Sequence, residues 1–296
     1  MNPKKPFFRS LDLADRPRFD AMLNAYPTQC SHYNFAALYC WQEEYHTTWQ
    51  IAGKHLYIHN GLTDLLLMPL GPQLSAKDLI SLSRSMREQG YSGCIGLVPP
   101  QFPSLFPQLG DHFNFIRDDA NSDYIYASSR LALLEGRKLA GKRNHINRFV
   151  EIHPDYSCRE LEAEEWPRCN ELASIWSRRQ LKLPLKESPE SQALRLAMIH
   201  CRQLSLRGYG LFIDRQLTAF VIWSRQRDDT ATIHFEKFDP GIKGVSQMIN
   251  RESARFLSSW AVWINREQDL GIPGLRRAKR SYLPDHMISG FIAVPK

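Results

Sequence analysis

The sequence predicts a mixed α/β (α+β) protein, with mixed sheets flanked by helices. Three observations carry this. Short runs rich in β-branched and aromatic residues recur along the whole chain. Between them lie stretches with apolar residues at helical spacing and with recognisable caps. In the second half the two kinds of segment follow the order β-α-α-β-β-β-α-β-α-β. With 296 residues, 43% of them hydrophobic and 23% charged, the chain suits either one large domain or two of roughly 130–160 residues.

The first half opens with "LADRPRFDAMLNAY", which has helical spacing after a start signal. "SHYNFAALYCWQEEYH" predicts a helix capped by Ser31, with Phe35, Leu38 and Tyr39 on one side. "TTWQIAG", "HLYIHNG" and "LLLMPLG" read as strands. "SAKDLISLSRSMREQG" reads as a helix with Ser75 as its cap and Gly90 as its stop. "GCIGLVP", "FNFIRDD" and "SDYIYAS" are further strands, and "GRKLAGKRNHINRFVEIHP" is a basic helix from about residue 137 to 151. The domain junction is placed before this helix, giving domains 1–135 and 136–296.

In the second half "YSCRELEA" predicts a strand. "EEWPRCNELASIWSRRQ" and "SPESQALRLAMIHCRQLSLRG" predict helices, the latter closed by Gly208. Three strands follow, with turns at Asp214-Arg215 and Asp228-Asp229. "MINRESARFLSSW" reads as an amphipathic helix with Ile249, Phe256, Leu257 and Trp260 on one face. "AVWIN" is a strand, "GLRRAKRSYLP" a helix and "ISGFIAV" a last strand.

Composition narrows the function classes. No apolar run approaches the roughly 18–20 residues that span a membrane, and the first residues contain no apolar signal core; the expectation is a cytoplasmic protein. The six cysteines are far apart and form no C-x-x-C pair, so they read as reduced, and no metal site is expected. A net charge of +7 suits an acidic partner: a nucleic acid, an anionic membrane surface or a phosphorylated cofactor.

Four segments carry candidate chemistry. "DPGIKGVSQMIN" runs from a strand through a glycine loop into a helix. The unpaired amides of a first helical turn favour a phosphate, so Lys243, Gly244, Val245 and Ser246 are candidate cofactor-binding residues; a plain turn fits the glycines as well. In "IHFEKFD", His234, Glu236 and Lys237 interrupt an apolar run. Glu236 is a candidate general base, or one residue of an exposed strand face. After the next strand, Asn265, Glu267 and Asp269 suit an ammonium group, with Glu267 a second candidate base. The helix beyond carries Arg276, Arg277, Lys279 and Arg280, with Leu275, Ala278 and Tyr282 spaced for the core. Lys279 is a candidate substrate contact and Tyr282 a candidate acid. In the basic helix, Lys138, Lys142 and His145 share one side, Arg143 and Arg148 add charge, and Leu139, Ile146 and Val150 form the apolar side. Such a stripe fits a phosphate backbone or an acidic lipid surface.

The order of the second half is that of the GNAT acyltransferase fold. The segments at 138–149, "HFEKFD…IKG…QMINRE" and "INREQDLGIPGLRRAKRSYLP" resemble the DUF2156 family, which is similar to the C-terminal catalytic domain of phosphatidylglycerol lysyltransferase. The resemblance covers nearly the whole chain. It implies two tandem GNAT-like domains, as in Fem-like aminoacyltransferases, with the active site in the second. It implies an acyl- or aminoacyl-transferase whose co-substrate is aminoacyl-tRNA or acyl-CoA, with no tightly bound cofactor and an unassigned acceptor. The other reading is a non-catalytic module of this fold that binds an amino acid, a nucleotide or tRNA.

Overall fold

The computed structural model describes residues 8–181 and 188–296, and the chain folds into two compact units. The first takes the chain up to Asp123 with Gln268–Ile272 and Ile288–Lys296; the second takes Tyr124–Glu267 and Pro273–Met287.

The first unit runs β1 (Arg9–Ser10), α1 (Arg16–Ala25), α2 (Phe35–Tyr45), β2 (Thr47–Ala52), β3 (His55–Asn60), β4 (Leu65–Leu67), α3 (Ala76–Glu88), β5 (Cys94–Val98), α4 (Phe102–Leu105) and β6 (Phe113–Arg117). The second runs β7 (Asp123–Ala127), α5 (Ser128–Leu133), α6 (Ala140–Ile152), β8 (Ser157–Glu160), α7 (Trp166–Leu181), α8 (Pro189–Ile199), β9 (Arg207–Ile213), β10 (Gln216–Arg227), β11 (Thr230–Phe238), α9 (Val245–Leu257), β12 (Trp263–Asn265), α10 (Pro273–Arg280) and β13 (His286–Ile288). The last strand, β14 (Phe291–Pro295), does not extend the second sheet as its place in the sequence suggests. It lies between β5 and β6 of the first and pairs antiparallel with both.

The two sheets share one plan. The first has the order β1-β2-β3-β4-β5-β14-β6 and the second, read from its other edge, β8-β9-β10-β11-β12-β7-β13. In each, four antiparallel strands lead to one parallel step, β4 to β5 or β11 to β12, and a helix links the parallel strands, α3 or α9. A parallel step needs such a crossover because a tight turn cannot reverse the chain twice. The strand beyond it is antiparallel and comes from elsewhere in the chain: β14 in one sheet, β7 in the other.

Local chemistry explains most of the elements. Ser75 caps α3 through a reciprocal capping box with Asp78, as its sequence predicts. Ser31 does not cap α2; Asn34 does, accepting from the amides of Ala36 and Ala37. The Ser31 hydroxyl donates instead to the fully buried Asp123 at 2.9 Å, which the Ser31 amide also satisfies at 2.6 Å. The β9–β10 hairpin turns on Asp214 and Arg215, at φ 49° and 63°, the signs a two-residue turn between twisted strands requires. Gly208 does not end a helix. α8 stops at Ile199 and Gly208 lies in β9, where an added Cβ would meet Leu161 at 2.6 Å. In the second unit α9 buries Val245, Met248, Ile249 and Leu257 in a core shared with Val221, Ile233 and Ile264 of the sheet.

Candidate active site

β11 and β12 pair over three residues only: Thr230 with Trp263, Ala231 with Ile264 and Thr232 with Asn265. β11 then continues to Phe238 while β12 ends at Asn265. The strands open where a parallel α/β sheet places its ligands, at their carboxyl ends. On the other side of β11 the register against β10 slips: Ile222 opposes Phe235 and Trp223 opposes Ile233, so His234 is an extra, bulged residue. The bulge resets the alternation of side chains. Ile233 and Glu236 both face α9, since Ile233 joins its core and Glu236 pairs with a residue that α9 contacts. His234 faces the opposite way, toward Ser224. Two side-chain pairs therefore bridge the opening, one on each face of the sheet: Glu236 with Arg266 at 2.7 Å, and His234 with Glu267 at 2.8 Å.

Arg266 is the centre of the face toward α9. Its guanidinium binds Glu236, and the Asn250 amide, with its oxygen turned inward, accepts from Nη1 at 2.6 Å and Nη2 at 3.2 Å. Burial acts against the charge, but Glu236 and the neighbouring phenols hold its pKa above the ordinary value. The Arg266 guanidinium lies 5.4 Å from the Tyr282 ring centroid, and the Lys142 ammonium 4.2 Å from the same ring. Burial, and then the charge of Arg266, lower the pKa of Lys142. Lys279 is buried and donates to the Arg266 carbonyl at 2.6 Å, while the Tyr126 hydroxyl donates to the Lys279 carbonyl at 2.8 Å. Arg266 thus links Glu236, Lys279 through its own carbonyl, and the Tyr282 ring that Lys142 also faces.

Burial raises the pKa of Tyr282, with Arg266 acting in the other direction. A phenol held above its unfolded pKa of about 10 contributes stability that is present below that pH and lost as pH rises past it. Tyr282→Phe is expected to flatten the alkaline loss of stability by up to about 1.4 kcal/mol per pH unit above pH 10, checked by urea titrations between pH 8 and 11.

Glu267 is pinned on the other face. Its φ is 56°, in the left-handed region, where a non-glycine residue stores strain. The Asn265 side chain accepts from the Glu267 amide at 2.7 Å, and the Glu267 carbonyl accepts from the Tyr124 amide at 3.2 Å. Asn265, fully buried, positions the second candidate base.

The structure brings Glu236, Asn265, Glu267, Lys279, Tyr282 and Lys142 together in the second unit. Arg266, His234, Asn250 and Tyr126 complete the group. Asp269 belongs to the first unit, is fully buried, and accepts from the Gly271 amide at 2.8 Å. Gly244 starts α9 at φ 85°, and an added Cβ would lie 2.5 Å from the His145 carbonyl oxygen of α6. Val245 is buried, Ser246 half-buried and Lys243 exposed, so one side of the expected phosphate cradle is covered by α6. In the basic helix Lys138, His145 and Arg148 are exposed. Arg143 instead donates to the carbonyls of Leu134 and Gly136 and closes the link from α5. Phe149 is buried where Val150 was expected, and Val150 is exposed. On α10 the buried residue is Lys279; Leu275 and Ala278 are exposed. Arg276, Arg277 and Arg280 line an open concavity of about 500 Å³ with Pro273 and Ser281. Among the described residues no group of three His, Cys, Asp or Glu side chains is placed to hold a metal ion, and no helix is long and apolar enough to cross a membrane.

A parallel strand pair that opens beside a glycine-started helix, repeated in plan by a second sheet, is the tandem GNAT-like fold. The chain belongs to the phosphatidylglycerol lysyltransferase C-terminal family, whose model matches residues 23–294. A crystal structure of a conserved Bacteroides thetaiotaomicron protein of unknown function matches with a TM-score of 0.87 at 30% identity, covering 98% of this chain and 99% of that one. The structure of L-PGS from Bacillus licheniformis matches with a TM-score of 0.65 at 15% identity, over 95% and 91%. An uncharacterised protein of Mycoplasmoides gallisepticum is 22% identical over 59% of this chain, and the match spans 56% of that protein's length.

Proposed function

We propose that the second unit transfers an aminoacyl group from aminoacyl-tRNA to a hydroxyl or amine acceptor, with the donor ester in the opening between β11 and β12. The observation that carries this is the opening itself, bridged by Arg266–Glu236 and Glu267–His234, in a chain of the lysyltransferase family. The cations Arg266, Lys142 and Lys279 supply the field that a tetrahedral oxyanion needs. The Glu267–His234 couple takes the proton of the attacking acceptor. The first turn of α9, with Lys243, Gly244, Val245 and Ser246, and the exposed cations of α6 and α10 hold donor phosphates. Glu236, bound to a buried guanidinium, balances charge and is the weaker candidate for the base.

The test is incubation with tRNA carrying a labelled aminoacyl group, with a cell extract or phosphatidylglycerol vesicles as acceptor, and in parallel with labelled acetyl-CoA. Label leaving tRNA for an extract or lipid product, and lost in Glu267→Gln, is the expected result. Label accepted only from acetyl-CoA would replace the donor. No transfer from either donor would overturn the reading.

A further inference from the structure

Ser224 lies on β10 directly opposite Thr232 of β11 and beside the bulged His234. The His234 ring bridges it to Glu267: Ser224 Oγ lies 2.8 Å from Nε2, and Nδ1 lies 2.8 Å from Glu267 Oε1. An ionised carboxylate only accepts, so in neutral His234 the proton sits on Nδ1 and Nε2 accepts from the serine hydroxyl. This is the hydrogen-bond order of an activated nucleophile, its base and the group that orients the base. Three adjacent chain segments supply one member each, and two backbone irregularities aim them. The bulge turns His234 toward Ser224, and the left-handed Glu267, clamped by Asn265, meets the ring from the other side. Next to them, the buried Thr232 Oγ1 has no hydrogen-bond partner among the described residues. A buried hydroxyl left unpaired has a cost that a ligand oxygen would remove.

We propose that Ser224, His234 and Glu267 form a nucleophilic triad that takes an acyl or aminoacyl group from an activated ester as a covalent serine ester, giving the second unit an esterase activity. Ser224 Oγ bonds to the ester carbonyl carbon while its proton passes to His234 Nε2. Collapse of the tetrahedral intermediate breaks the carbon–oxygen bond to the leaving alcohol, which takes the proton from Nε2. Water, or the acceptor hydroxyl or amine, then attacks the serine ester. It gives its proton to Nε2, and the serine oxygen recovers that proton as it leaves. Thr232 Oγ1 donates to the oxyanion. This goes beyond the transfer reading and needs neither tRNA nor a particular acceptor.

The test is labelling of the full chain with a fluorophosphonate probe, which forms a phosphorus–oxygen bond to an activated serine and releases fluoride. Mass spectrometry locates the adduct, and circular dichroism with thermal unfolding verifies the fold of each variant. The expected result is an adduct on Ser224, absent in Ser224→Ala and slowed on the order of a hundredfold in His234→Gln. No adduct on Ser224 of the folded protein overturns the triad, as does labelling at an unchanged rate in His234→Gln. A protein that labels on Ser224 but moves nothing from charged tRNA keeps the triad and refutes the donor; the reverse pattern keeps one-step transfer and refutes the triad.

Discussion

Arg266→Met is expected to lower stability by about 3–5 kcal/mol, because it leaves the Glu236 carboxylate in the sheet interior without its partner. Both side chains of the pair are more than four-fifths buried, at 13% and 17% exposure. The guanidinium also satisfies the Asn250 amide and lies near two phenol rings, so the loss extends past a single contact. Adding Glu236→Leu should restore most of the stability, since an apolar pair of similar volume is often neutral or better than a buried ion pair. Urea midpoints of wild type, single variant and double variant decide this. A single variant within about 1 kcal/mol of wild type would mean that Glu236 finds water or another cation. In the double variant, the transfer we propose should stay lost although the fold returns.

Gly244→Ala is expected to cost about 2–4 kcal/mol, from two sources. A residue with a Cβ at φ 85° loses roughly 1–2 kcal/mol in the left-handed region. The new methyl would also sit 2.5 Å from the His145 carbonyl oxygen and 3.0 Å from the Phe149 Cβ, forcing α6 off the start of α9. Gly136 provides the control. Its φ is 88°, yet an added Cβ meets nothing within 4 Å. Gly136→Ala should therefore show the backbone part alone, and the difference between the two thermal shifts isolates the helix contact. Equal shifts would mean that α6 yields without cost.

The strands, the Ser75 cap and the crossover from β11 to β12 were legible because each depends on residues close together in sequence. The faces of β11 were not. Strict alternation puts His234 and Glu236 on one side, and only pairing with β10 reveals the extra residue that separates them. Arg266 drew no notice, since a lone cation after a strand reads as a loop charge; its importance comes from Glu236, thirty residues earlier. On α10 apolar spacing favoured Leu275 for the interior, but the space beneath holds the Arg266 carbonyl, and a lysine fits it better than a leucine. The likeness to the lysyltransferase family was visible in short motifs, because those motifs coincide with the segments that build the opening.

The seating of β14 between β5 and β6 sets a schedule for biosynthesis. The chain emerges from the ribosome amino end first, so β5 and β6 must wait, with a strand-wide vacancy between them, until residues 291–295 have been made. During that interval the unfilled edges can recruit β-rich segments of neighbouring nascent chains. Translation speed and holdase chaperones should therefore govern the yield of intact molecules more than the equilibrium stability of either sheet.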